Sequence, residues 1–393
     1  MSDKRIAIVD CNNFYVSCER LFNPKIRTKP TIVMSNNDGC VIARSQEVKD
    51  MGIRMGQHLF SLDEKLKASL EKFSSNYVLY GDISDRISNI LRTFTPTIEI
   101  YSIDESFLDV SHVPEEELEA QMQTIRTEVM RLTGIPVSIG VAPNKTLAKL
   151  MNQRAKKEAD LRGVCIFGSP NEVDSVGLGE VWGIGPKWKE KLADLGVSTV
   201  GEFKLLSPHR VKSLTTIVGL RTWMELNGER VFSVETKFKR PKVVTSSRSF
   251  GKKVWQEPQI FDALCSFIED GCKKLKGDNL KARRCFFFLE TDRFKGDYVF
   301  WFRKIRLYEP SSDVQSIWNE IFPNLDGLPS KVWARAGVIF YDLVDERVEI
   351  PRLFPENYST ALIPNLKDKI WMTRRDSLSP NWTTSWQEIP KLF

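Results

Sequence analysis

Short apolar runs bounded by turn residues, alternating with longer stretches of helical period, give the first outline of the chain. Arg5 to Val9 is apolar on both faces, as a central buried strand is, and it delivers Asp10 at its C-terminal end. Asn12, Asn13, Phe14 and Tyr15 then begin a turn into a helix. Thr31 to Ser35 reads as another strand, followed by the turn signal Asn36-Asn37-Asp38-Gly39. Val41 to Met51 reads as a helix closed by Gly52. Two β-prone runs, Ile98 to Ser102 and Phe107 to Val110, bracket Asp104 and Glu105 at the bend of a strand pair. Helical periods over Glu115 to Leu132 and Lys145 to Lys157, with strands at Pro136 to Ala142 and Gly163 to Phe167, complete an α+β sheet layered with helices.

The pattern then changes. Val181-Trp182-Gly183-Ile184-Gly185-Pro186 precedes a helix from Lys187 to Leu195, and Gly196-Val197 turns into a second helix at Thr199 to Leu206. This helix-hairpin-helix exposes backbone N–H groups suited to a phosphate, with Gly183, Gly185 and Lys187 as the contact residues. Gly228 to Lys242 is polar and basic, and reads as a linker. Beyond it come a strand (Val243 to Phe250), a helix (Ile260 to Lys276), two strands (Ala282 to Thr291, Tyr298 to Ile305), a helix (Val314 to Phe322) and a strand (Val332 to Leu343). That is a β-α-β-β-α-β order. Pro351 to Phe393 holds little regular pattern but carries Trp371, Trp382 and Trp386, as a segment docked on the body or on a partner would. Ile350-Pro351-Arg352-Leu353-Phe354 is echoed by Ile389-Pro390-Lys391-Leu392-Phe393.

Composition sharpens the outline. At 393 residues the chain exceeds one ordinary core, and no run approaches the ~18 apolar residues of a membrane helix. With Met-Ser-Asp-Lys-Arg leading straight into a strand, the expectation is a cytoplasmic protein. Its seven cysteines show no Cys-x-x-Cys pair and read as buried thiols. The net charge of +6 is unevenly placed: Lys237 to Arg306 holds 18 Lys and Arg against 8 Asp and Glu. One region therefore carries a basic face, as a polyanion-binding module does. Ser246, Ser247, Arg248, Ser249, Arg283, Arg284, Arg303, Lys304 and Arg306 lie on or beside its strands, a hydroxyl-rich and basic set that suits a nucleic-acid backbone.

Candidate chemistry centres on the acids. An Asp-Glu pair alone reads as a solvated turn, and an Asp leaving a strand reads equally as a helix cap. Together, Asp10, Asp104 and Glu105 would hold two Mg²⁺ ions about 3.5 to 4 Å apart for phosphoryl transfer, with substrate phosphates completing the site. Arg44 and Lys49 are candidate phosphate contacts, whose plain alternative is solvated surface charge. Glu115, Glu116 and Glu117 suit a helix dipole and are set aside as structural. Polymerase, nuclease and nucleotide cyclase all remain open on these residues.

Five stretches in order, Asp10-Cys11-Asn12-Asn13-Phe14-Tyr15, Asn36 to Arg44, Tyr80-Gly81-Asp82-Ile83-Ser84, Tyr101-Ser102-Ile103-Asp104-Glu105 and Val181 to Gly185, resemble the Y-family translesion DNA polymerases. The nearest likeness is to the UmuC-type branch, and it runs on to Leu378-Ser379-Pro380-Asn381-Trp382-Thr383-Thr384. The resemblance implies a polymerase right hand. Its parts would be a palm (1–30 and 76–168), small fingers (31–75), a thumb (169–235), a linker (236–242), a little finger (243–349) and a partner-binding tail (350–393). It implies two Mg²⁺ ions on Asp10, Asp104 and Glu105, with the backbone carbonyl of Cys11 as an added ligand. Tyr15 would be a steric gate against ribose, and Asn13 and Phe14 would offer backbone N–H groups to the triphosphate. Lys49 and Lys156 would neutralise it, while Cys40, Val41, Ile42 and Ala43 roof the nascent base pair. Implied partners are primer-template DNA, a deoxynucleotide, a UmuD-type dimer, the RecA filament and the sliding clamp, in the bacterial cytoplasm at the nucleoid. Two features depart from the family: Gln46 and Lys49 stand where many members have Tyr and Arg, and neither Leu353-Phe354 nor Leu392-Phe393 has a full clamp-binding setting. The expected activity is error-prone synthesis past damaged bases; a non-catalytic DNA-binding or checkpoint subunit and a metal-dependent nuclease are the rivals.

Overall fold

The computed structural model describes residues 4–35, 39–236, 240–293 and 296–347. They fall into two compact units, one holding the described residues up to 236 and the other those from 240 on.

The first unit opens with strand β1 (Ile6–Cys11) and helix α1 (Phe14–Phe22), followed by β2 (Thr31–Met34) and β3 (Val41–Arg44). Helices α2 (Gln46–Asp50) and α3 (Glu64–Ser69), strand β4 (Glu71–Ser74) and helix α4 (Tyr77–Arg92) come next. Strands β5 (Ile98–Ile100) and β6 (Glu105–Asp109) form the acidic hairpin, and α5 (Glu115–Thr133), β7 (Val137–Ala142), α6 (Lys145–Lys157) and β8 (Val164–Ile166) complete a five-stranded sheet in the order β5-β6-β1-β7-β8. As its two-sided apolar sequence requires, β1 lies at the centre. Ala7 and Val9 join the core under α1, α4 and α5, while Ile6 and Ile8 join the core under α6. Asp10 continues the Ile6–Ile8 side.

The distance between α6 and the sheet is set by Gly140 on β7. A Cβ there would stand 2.2 Å from the carbonyl oxygen of Ala148 and from the amide nitrogen of Asn152, so any side chain would lift α6 off the strand. Four further helices follow: α7 (Pro186–Ala193), α8 (Val200–Lys204), α9 (Pro208–Thr215) and α10 (Ile217–Leu226). The α7–α8 pair is the expected helix-hairpin-helix. Thr199 and Glu202 cap α8 reciprocally, and Gly183 takes a positive φ of 89° just ahead of α7.

One expectation fails in the small sheet β3-β2-β4. Val41 to Met51 is not a single helix: Val41–Arg44 is strand β3, antiparallel to β2, and only Gln46–Asp50 is helical. The β-branched Val41 and Ile42 fit a pleated surface, and burial of Val41 with Ile32 and Met34 and of Ala43 with Val33 overrides the helical reading. The acidic bend is also narrower than expected. Asp104 lies in the turn, but Glu105 is already the first residue of β6.

The second unit comprises β9 (Val243–Val254), α11 (Glu257–Gly277), β10 (Leu280–Glu290), β11 (Phe300–Ser311), α12 (Val314–Ile321) and β12 (Trp333–Asp345). Its order is the expected β-α-β-β-α-β, folded as an antiparallel sheet β11-β10-β12-β9. Both helices cover one face, where Phe287, Leu289, Trp301, Val338 and Phe340 pack against Leu264, Phe267, Ile268, Ile317 and Trp318.

Candidate active site

Pairing of β1 with β6 places Asp10 directly opposite Glu105, and cross-strand partners share a face of the sheet. The turn residue Asp104 is clipped to the end of β1, because the amide of Cys11 donates to the carbonyl oxygen of Asp104 at 2.9 Å. Three acids separated by some ninety residues of chain thus meet at one end of the sheet. Glu99, across from Phe107 on β5, extends the row.

Helix α6 lies over this row and carries lysines at positions 145, 149 and 156, spaced to project from one side. Each meets an acid: Lys145 Nζ is 2.5 Å from Glu99, Lys149 Nζ is 2.8 Å from both carboxylate oxygens of Glu105, and Lys156 Nζ is 2.6 Å from Asp10 Oδ2. Asp104 instead accepts from the Ser102 hydroxyl at 2.6 Å. Lys149 is further enclosed by aromatic rings, 4.6 Å from the centroid of Tyr101 and 5.4 Å from that of Trp182, whose indole N–H donates to the Tyr101 hydroxyl at 3.2 Å. Sequence reasoning found Lys156 but missed Lys145 and Lys149; their i, i+4 spacing on a helix next to an acidic hairpin was the available signal.

Burial raises the Asp10 carboxyl from its ordinary value to about 6. Lys156 opposes that rise, and the neighbouring charges of Glu105 and Asp104 reinforce it. Crowding of this kind suits a divalent cation, and the lysine ammoniums stand where such positive charge would act. The acids do not form a closed cage, since among the described residues no three His, Cys, Asp or Glu side chains converge on one point. An open set of carboxylates completed by substrate oxygens is how Mg²⁺ is usually held, so the residues fit the ion.

Beside Asp10 lies a group of cations. The Lys49 ammonium is pushed down, first by burial and then by the positive charges of Lys156 and Arg44. Arg44 also donates to the carbonyl of Ile53 at 2.5 Å, so part of its guanidinium is already used. Convergence of these cations makes a place for a polyanion. Asn13, at φ 51°, starts α1, and the first amides of that helix have no intrahelical acceptor. Tyr15 stacks on Tyr80 with centroids 4.3 Å apart and planes 13° from parallel, and the Tyr80 hydroxyl donates to buried Glu19 at 2.6 Å. Val41, Ile42 and Ala43 lie on β3, with Val41 and Ala43 buried and Ile42 half-buried. Cys40 bridges to His58, with its sulfur 3.2 Å from Nδ1.

Elsewhere the expected contact residues divide. Gly183 and Gly185 flank the turn into α7, and Lys187 is exposed on its first turn. In the second unit Ser247 lies on the side of the sheet away from α11 and α12 and accepts from Arg335 at 3.0 Å, and Arg284 is 3.4 Å from Asp342. Arg248 points the other way, to Asp270 on α11. Arg303 lies over the ring of Trp301, on the helix-covered side. Strand alternation sends Arg248 and Arg303 to the side opposite Ser247 and Arg284. Arg283 is exposed beside a bulge. Leu353, Phe354, Leu392 and Phe393 lie outside the described residues.

Among solved structures, the fold is that of the Y-family DNA polymerases. A Dbh–Dpo4–Dbh chimera of that family superposes with a TM-score of 0.70 at 20% identity, covering 87% of this chain and 99% of the other. An insertion ternary complex of Dbh DNA polymerase gives 0.60. Residues 9–153 match the impB/mucB/samB family, residues 241–350 its C-terminal domain, and residues 363–392 a domain of unknown function. Protein ImpB of Salmonella typhimurium is 33% identical over 98% of each chain, and UmuC of Salmonella typhimurium is 31% identical over 98% of this chain and 99% of its own. DNA polymerase IV 1 of Bacillus subtilis is 31% identical over 56% of this chain. The chain belongs to the impB/mucB/samB family.

Proposed function

We propose that the chain is a DNA-directed DNA polymerase that carries out error-prone synthesis past damaged bases in the SOS response. One observation carries this reading: a row of carboxylates at the end of β1 and β6 adjoins a converging set of cations, and the Asp10–Lys156 ion pair joins the two groups. A metal-dependent acid site next to a polyanion site is what nucleotidyl transfer from a triphosphate needs.

Asp10, Asp104 and Glu105, with the Cys11 carbonyl, are the proposed ligands of two Mg²⁺ ions. When bound there, magnesium supplies positive charge that offsets charge developing on the attacking and leaving oxygens. Lys49, Lys156 and Arg44 hold the triphosphate, together with the first-turn amides of Asn13, Phe14 and Tyr15. Lys49 acts as a point charge without the bidentate fork of an arginine. The primer 3′-hydroxyl oxygen bonds to the α-phosphorus, the bond to the β-phosphate oxygen breaks, and pyrophosphate leaves while the hydroxyl proton passes to solvent. Tyr15, held flat by Tyr80, lies beneath the sugar and excludes a 2′-hydroxyl. The β3 strand and Cys40 form the roof over the base pair. So small a roof encloses little of the pair, and low selectivity follows.

The parts are assigned as palm, fingers, thumb and little finger with the boundaries given above. Primer-template DNA, deoxynucleotides, a UmuD-type dimer, a RecA filament and a sliding clamp are the proposed partners, in the bacterial cytoplasm at the nucleoid.

Primer extension opposite an abasic site with Mg²⁺ tests the reading. Asp104→Ala is expected to lower extension by about 10³-fold or more. Undiminished extension by that variant overturns the catalytic assignment, and shortening of a labelled primer identifies a nuclease instead. Tyr15→Ala is expected to raise ribonucleotide insertion, by up to about 10²-fold; unchanged sugar selection removes the gate role.

A further inference from the structure

Helix α1 carries, one turn beyond Tyr15, a carboxylate that the reaction proposed above does not use. Glu19 is only 8% exposed, on a helix whose other buried residues are Phe14, Val16 and Cys18. Burial raises its carboxyl above the ordinary value, and the hydrogen bond from Tyr80 opposes that rise. Taking a carboxylate out of water costs free energy that an apolar side chain of similar size does not. A helix that only had to pack here would carry leucine or methionine.

What the carboxylate adds is a direction. Tyr80 on α4 is fully buried, and it donates its hydroxyl hydrogen to Glu19 Oε1 at 2.6 Å while its ring stacks on Tyr15. Tyr15 and Glu19 stand four residues apart on α1 and therefore share one side of it. A single side chain thus spans both, with its ring against Tyr15 and its hydroxyl against the acid one turn on. Burial, and then the negative charge of Glu19, push the Tyr80 phenol far up, so its hydroxyl keeps its proton and remains a donor. The last torsion of a tyrosine is otherwise broad. Because a phenolic O–H prefers the plane of its ring, an acceptor fixed on α1 sets the tilt of the Tyr80 ring as well as the place of its far end. Tyr77 braces the pair edge-on, 5.9 Å from Tyr15 and 6.1 Å from Tyr80 between ring centroids. A steric gate discriminates only as far as its ring cannot give way, and that depends on the groups that lock it from behind.

We propose that Glu19 is a positioning residue for sugar selection, which acts through the Tyr80 hydroxyl to hold the Tyr15 ring at a fixed height and tilt. The inference rests on the gate reading of Tyr15 above and adds the residue that keeps the gate from yielding.

The test is single-nucleotide insertion by the full chain on a primed template. Deoxynucleotide and ribonucleotide are measured separately, and selectivity is the ratio of their kcat/KM values. Glu19→Leu is expected to lower that ratio about tenfold through a rise in ribonucleotide kcat/KM, while deoxynucleotide insertion changes by no more than about threefold. Glu19→Gln keeps an acceptor oxygen for the Tyr80 hydroxyl and should hold the ratio within about twofold of wild type. Tyr80→Phe removes the donor and keeps the ring, so it should lose selectivity as Glu19→Leu does. The two differ in stability: the phenylalanine variant leaves a buried acid without its donor and is less stable, whereas leucine removes the acid. Selectivity that follows stability instead of the hydrogen bond overturns the proposal. In the Tyr15→Ala background, where the gate ring is gone, Glu19→Leu should move the ratio by less than about twofold. A further loss there of about tenfold means that Glu19 acts elsewhere, and also overturns it. An unchanged ratio in Glu19→Leu, where Tyr15→Ala has altered it, removes the role of Glu19 and leaves the gate standing. If Tyr15→Ala itself leaves the ratio unchanged, or the wild-type chain inserts no nucleotide, the reading above falls and this inference falls with it.

Discussion

The acid row under α6 and the face of the second unit's sheet away from α11 and α12 are built from the same kinds of residue and end in opposite electrostatic states. In the first, every lysine of the helix stripe rests on a carboxylate, and Lys149 is enclosed by rings as well. In the second, the rings of Phe286, Phe288 and Phe300 are stacked on one another, and Lys304 and Arg306 on the same face lack carboxylates among the described residues. Charge balanced from within keeps a site shaped until a metal and substrate enter. Unbalanced charge instead leaves room for a counter-charge from elsewhere. Basic residues and aromatics in a sequence do not distinguish these cases; which strand face each occupies does.

If the acid row is as crowded as its geometry indicates, the largest effect is on stability without metal. The Asp10 carboxyl is raised from 3.8 to about 6, chiefly by burial. A raised acid favours folding while protonated in the folded state, so its contribution is full below about pH 4 and is lost as pH rises through about 6. Stability of the wild-type chain relative to Asp10→Asn should therefore fall across that interval by up to about 3 kcal/mol, then level off. Chemical denaturation at a series of pH values in chelator measures the difference. Saturating Mg²⁺ should remove the fall, because a cation beside Asp10 favours its ionised form. A difference that is flat in chelator, or that rises with pH, breaks the picture of a crowded row.

Much of this was legible in the chain. Period-two and period-3.6 patterns placed β1, α6, the acidic hairpin and the β-α-β-β-α-β unit within a few residues of where they fold, because each buries a regular apolar face. Strand β3 was misread: four residues pair with β2 through contacts that local propensity does not record. Helix α4, β4 and the α9–α10 pair went unseen. In the site, Asp10, Asp104 and Glu105 were found as acids near strand ends, and Lys156 through the family resemblance. Lys149 was missed because its meaning depends on Gly140, which lets α6 lie close enough to bring that lysine onto Glu105. The sides taken by Arg248 and Arg303 depended on strand register, which composition cannot supply.

The sharpest test of the comparison substitutes one lysine in each region. Lys149→Met keeps most of the unbranched side chain but leaves Glu105, itself 20% exposed, without its counter-ion. Partial exposure discounts the cost, so the expected loss of metal-free stability is about 1–2 kcal/mol. Because Glu105 is a proposed metal ligand, a residue that orients it should also affect turnover. Extension should fall about 10- to 100-fold, with more Mg²⁺ needed for half-maximal rate and little change in primer-template affinity. Lys149→Arg should restore stability more than rate, since a guanidinium stacks on the rings of Tyr101, Phe107 and Trp182 but presents a planar fork to Glu105 in place of the ammonium's point charge. Lys304→Met is the counterpart: stability should move by no more than about 0.5 kcal/mol, and the Mg²⁺ requirement should not move at all. Should both methionine variants behave alike in denaturation and in magnesium titration, the lysines of α6 are ordinary surface charges and the contrast between the two regions is lost.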